Sequence, residues 1–166
     1  IFKRCKNPFE LFVVNVQKKF INIAKKNINK FSKYNNHINW HKSEAQMTSY
    51  NGKFATEYKS LPLVNPDFIY LDAPNPFEVI NKVNNFTVKH HDMMPMSCDI
   101  LKFEHFLTPE TIIVLDGRTS NARFLKENFQ RKWVYKRDNK NDLNIFYLNE
   151  PSLGKHSDEQ LKFYKK

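Results

Sequence analysis

Glycine is scarce: Gly52, Gly117 and Gly154 are the three in 166 residues. A loop that cradles nucleotide phosphates usually clusters its glycines, and no such cluster exists. Cysteine is scarcer still. Cys5 and Cys98 cannot build a disulfide framework and lack metal-ligand spacing. No apolar run approaches the ~18 residues that span a bilayer. The opening IFKRCKNPFE lacks the apolar stretch of a signal peptide. These absences predict a cytoplasmic protein with no membrane segment.

Aromatic residues are plentiful, with Phe alone supplying fifteen, and apolar residues reach 40%. That is enough for the core of a single domain. The net charge of +10 invites thoughts of nucleic acid. Yet Arg supplies only five of the 27 basic residues, and Asn is abundant beside Lys. Lys and Asn rise together in AT-rich coding sequence without selection for a polyanion. The lysines are also dispersed, so a nucleic-acid partner is not expected.

Periodicity divides the chain into short elements. Leu11 to Val16 (LFVVNV) is a continuous apolar run, the pattern of a covered strand. Phe20, Ile23, Ala24, Ile28 and Phe31 then form a helical stripe. Ile38 to His41 predicts a second strand, and Thr48 to Ser60 reads as polar and irregular with one helical turn. Asp67 to Leu71 (DFIYL) is a third strand, closed by Asp72. Pro74 and Pro76 make Ala73 to Asn85 a long loop. Ser97 predicts a helix N-cap, with Ile100, Phe103 and Leu107 facing inward. Thr111 to Leu115 (TIIVL) is a strand closed by Asp116, and Asn121 to Phe129 a helix. Trp133 to Lys136 and Leu143 to Leu148, joined by RDNKND, predict a hairpin. Residues 151–166 read as a polar, loosely held tail. The alternation predicts an α/β fold: an open, mostly parallel, Rossmann-like sheet in three layers, with an antiparallel C-terminal hairpin strand.

The order LFVVNVQKKFINIAKKN, INWHKSEA, PDFIYLDAP and LTPETIIVLDGRTSNARFL, followed by a hairpin, resembles class I S-adenosylmethionine-dependent methyltransferases. The resemblance runs from about Leu11 to Leu148, making residues 1–150 a methyltransferase-like domain. It implies a sheet ordered 3-2-1-4-5-7-6, with the first strand and its glycine-rich loop lacking here. Together with the Ile start, this leads us to expect the later part of a longer protein, and weak S-adenosylmethionine binding by this chain alone.

Open α/β sheets bind ligands beyond the carboxyl ends of their strands. Asn15 stands where the family carries an acid for the ribose hydroxyls; its alternative is capping the next helix. Glu44 matches the family's contact to the adenine amino group, with Ser43 and Ala45 lining the ring; otherwise it is a surface carboxylate. Asp72 and Asp116 close neighbouring strands, which suits an active-site cleft or Mg2+, against a helix-capping role for each. Asp72 also falls where the family contacts its cofactor. His91 is a candidate base for a hydroxyl or a surface histidine. Arg118 is a clamp for an anionic group or an ion-pair partner of Asp116.

The implied function is methyl transfer to a hydroxyl of a small molecule or sugar, with S-adenosylmethionine as donor and a homo-oligomer among the assemblies expected. The alternative is a catalytically inactive module of the same fold that binds a partner. A nucleic-acid methyltransferase ranks lower, because DAPNPF replaces the Asn/Asp-Pro-Pro-aromatic motif.

Overall fold

The computed structural model describes residues 10–28 and 37–164. The predicted Phe31 and Cys5 lie outside them. Strand β1 (Leu11–Asn15) leads into helix α1 (Lys18–Ile28). The turn between them is set by Asn15, whose side-chain oxygen accepts the Gln17 N–H at 2.8 Å. This is the local bond through which Asn starts turns. β2 (Ile38–Lys42) pairs parallel with β1, Leu11 opposite Ile38 and Asn15 opposite Lys42.

β3 (Ala45–Tyr50) and β4 (Lys53–Tyr58) form an antiparallel hairpin where the sequence predicted irregular chain. Its turn is Asn51-Gly52, both at positive φ (48° and 74°). That is the two-residue turn whose twist matches paired strands. β5 (Phe68–Leu71) pairs parallel with β6 (Ile112–Asp116). β7 (Trp133–Asp138) and β8 (Leu143–Leu148) form the expected hairpin, and β8 inserts beside β6 to give the order β5-β6-β8-β7.

The single open, mostly parallel sheet is therefore corrected. The strands divide into a parallel pair, an antiparallel pair and a mixed four-stranded sheet. Three of the five strand pairings are antiparallel. Tight turns join β3 to β4 and β7 to β8 directly as antiparallel neighbours, whereas a parallel pairing needs a long crossover; β8 then runs back beside β6, antiparallel to it.

Helix α2 (Asp99–Phe103) and helix α3 (Thr119–Asn128) supply Ile100, Leu101, Ala122 and Leu125 to the main core. There they meet Ile113, Leu115, Phe146 and Leu148 from β6 and β8, and Ala55 from β4. Ser97 does not cap α2. Cys98 occupies that position, and the Ser97 hydroxyl donates to the Asp99 carboxylate at 2.8 Å. Phe103 is only partly buried against this core, while Leu107 is fully inside it. A second cluster gathers Ala45, Met47, Val79 and Val88. The tail is not loose throughout, for Lys155–Tyr164 forms helix α4. The long proline segment holds a short 3-10 turn at Pro76–Glu78, capped by the Asn75 side chain. No helix among the described residues is long and apolar enough to cross a membrane.

Candidate functional site

The parallel pairing of β5 with β6 sets the strongest constellation. Register places Leu71 opposite Leu115, so Asp72 and Asp116 follow on neighbouring strands at the same edge of the sheet. Tyr70 lies two residues before Asp72, opposite Val114. Its phenol donates to Asp116 Oδ2 at 2.7 Å. That bond, then desolvation and the charges of Asp116 and Asp72, push the Tyr70 phenol up to about 12. It stays protonated at neutral pH and acts as a donor. Tyr70 was missed in the sequence, although period-two alternation sets it on the strand face that leads to the carboxylates.

Arg118 precedes α3 and turns back across the edge. Its Nη2 donates to Asp72 Oδ1 at 3.1 Å and to the Ala73 carbonyl at 3.0 Å. The ion pair thus goes to Asp72, not to Asp116. Gly117, between Asp116 and Arg118, adopts φ +59°, and a Cβ there would lie 3.0 Å from Asp142 Oδ2. The positive φ at the sharp exit from β6 favours glycine.

The other predicted residues are dispersed. Asn15 closes β1 and its oxygen is spent on the Gln17 N–H. Its NH2 has no partner among the described residues. Ser43 is buried, and its Oγ accepts the Ser60 N–H at 2.9 Å. Ala45 sits in the second core cluster. Neither has a surface to offer an adenine ring. Glu44 is exposed and paired with Lys59 at 2.9 Å, a bond that holds its carboxyl below the usual range. His91 is exposed and packs edge-on against Phe77 at 4.8 Å. No hydrogen bond joins it to Asp72, Asp116 or Arg118 among the described residues.

These contacts decide what the site can hold. A guanidinium on Asp72 and a phenol on Asp116 are poor surroundings for a divalent cation, which wants several oxygen ligands free of competing donors. No group of three or more His, Cys, Asp or Glu converges among the described residues. The residues present do not fit Mg2+. Two surface hollows are seen elsewhere. One of about 470 Å³ runs along α1, lined by Lys18, Lys19, Asn22, Ile23 and Lys26. One of about 270 Å³ is lined by Lys126, Phe129, Arg131, Trp133, Tyr135 and Phe146. Neither includes a predicted site residue.

No family model, curated protein or solved structure matches the chain.

Proposed function

We propose that the chain serves methyl transfer from S-adenosylmethionine to a hydroxyl of a small molecule or sugar. The observation that carries this reading is the edge cluster, in which Tyr70 holds Asp116 and Arg118 holds Asp72. Asp116 has one carboxylate oxygen taken by the phenol, leaving the other to accept a hydroxyl proton as the acceptor oxygen becomes nucleophilic. The Tyr70 hydrogen bond fixes the carboxylate's orientation, which is the positioning such a displacement needs. Arg118, steadied by Asp72 and the Ala73 carbonyl, offers its remaining N–H donors to an anionic group on the acceptor. Asn15 and Glu44 would hold the nucleoside end of the donor, which supplies an activated methyl group.

The test is transfer of label from methyl-labelled S-adenosylmethionine to a panel of sugars and small alcohols. Asp116→Asn should lower kcat by roughly 10²-fold, and Tyr70→Phe by less. Because weak donor binding by this chain alone is expected, the assay is run at saturating S-adenosylmethionine. Absence of label there, or undiminished transfer by Asp116→Asn, overturns the reading.

A second reading, a catalytically inactive binding module, is favoured by one specific observation: Ser43 and Ala45 are committed to the interior. Calorimetric binding of S-adenosylhomocysteine without any label transfer would support it over the first.

A further inference from the structure

The apolar stripe of α1 faces two ways. The helix lies against β1 and β2 and buries Ile21, with Ala24 and Ile28 half covered. Phe20 stays 52% exposed and Ile23 45%. By helical periodicity these two fall on the outer flank, in company with Lys19, Lys26 and Asn27.

That flank carries charge of one sign. α1 holds Lys18, Lys19, Lys25 and Lys26 and no acidic residue. Lys25 sits over the Trp40 ring at 5.6 Å. Lys18, Lys19 and Lys26 have no hydrogen-bond or ion-pair partner among the described residues. With Asn22 and Ile23 they line the shallow hollow of about 470 Å³, and no carboxylate enters that lining. Free ammonium groups set around uncovered apolar side chains are what a cationic amphipathic helix presents to a membrane interface.

We infer that α1 seats this protein on the surface of an anionic lipid bilayer, lying on it and not crossing it. Phe20 and Ile23 enter the boundary between headgroups and acyl chains. Lys18, Lys19 and Lys26 lay their stems along that boundary and keep their ammonium groups at the lipid phosphates and carboxylates. The residue types favour lipid over nucleic acid. Lysine is a flexible point charge that suits a fluid layer of anions, whereas fixed phosphate geometry suits arginine, and α1 has none. A soluble polyanion would also leave Phe20 and Ile23 uncovered. The outward flank of a surface helix meets a plane without needing a matching groove. The inference is independent of the chemistry at Asp72 and Asp116.

Flotation with lipid vesicles tests this on the whole 166-residue chain. The chain should float with phosphatidylcholine vesicles carrying about one third phosphatidylserine, and stay behind with phosphatidylcholine alone. Lys19→Glu and Lys26→Glu should each weaken partition by about tenfold. Phe20→Ser combined with Ile23→Ser should weaken it by about tenfold with charge unchanged. Lys140→Glu, in the β7–β8 turn, makes the same change in net charge away from α1 and should alter partition by less than about twofold. Each substituted side chain is exposed, so circular dichroism should be unchanged throughout. Equal partition onto both kinds of vesicle, or onto neither, overturns the inference. So does anionic binding that survives Phe20→Ser with Ile23→Ser, which would mean adsorption to any polyanion. Equal loss from Lys140→Glu overturns it too, since net charge alone would then be the cause.

Discussion

Tyr58 and Tyr70 share a phenol pushed up to about 12, for different reasons. Tyr58 is raised first by burial and then by the Asp99 charge, Tyr70 first by its hydrogen bond to Asp116. A phenol whose folded value exceeds its unfolded 10.0 favours the folded state fully below pH 10, and that contribution is lost as pH climbs toward 12. Cys98, raised by burial from 9.0 to about 12, adds the same sign over a wider window. Thermal midpoints should therefore fall steeply between pH 10 and 12, and less steeply for Tyr58→Phe. Parallel curves for the two proteins would remove Tyr58 as a cause. At this scale the sequence was partly legible. Asp72 and Asp116 could be found because each follows an apolar run. The Asp72 partner of Arg118 could not, since the two residues are separated by 46 positions and meet only through strand pairing.

At the scale of elements, propensity served well where one face is apolar and poorly where turn chemistry decides. α3 and the β7–β8 hairpin follow their patterns. The β3–β4 hairpin was missed, although Asn51-Gly52 is a strong short-range hairpin signal, because Thr48 to Ser60 is too polar to read as strand. Gly52 has open space around its Cβ position, so substitution there measures backbone strain alone. Gly52→Val should destabilise the fold by roughly 1–2 kcal/mol in chemical denaturation. No loss would show that the turn tolerates a side chain at positive φ. α4 was missed for the opposite reason. Its apolar positions are few, and a helix over polar sequence leaves no stripe to find.

Across the whole molecule, strand existence was readable and strand partnership was not. Pairing is decided by contacts between distant segments, so a list of elements does not fix how many sheets they make. What joins distant segments here is often polar. Glu104, in the 3-10 turn after α2, is buried and accepts the backbone N–H groups of Gln130 and Arg131 and the Trp133 indole N–H at 2.8 Å. Arg131 in turn donates to the Glu104 and Leu107 carbonyls and pairs with Glu150 at 2.6 Å. Glu104→Ala would leave three part-buried donors without their acceptor, at a cost of about 1–3 kcal/mol, visible as a lower denaturation midpoint. A loss below about 1 kcal/mol would mean that water replaces the carboxylate.

β5 is an outer strand of its sheet among the described residues, and FIYL is a segment suited to pairing edge to edge with other chains. Asp67 and Asp72 bracket it. Such flanking charges act as gatekeepers against aggregation. Replacing Asp72 by a neutral residue would therefore probe chemistry and remove a guard against fibril growth in one step. The soluble fraction of that variant should be measured alongside its turnover, because lost activity and lost colloidal stability would share a single cause.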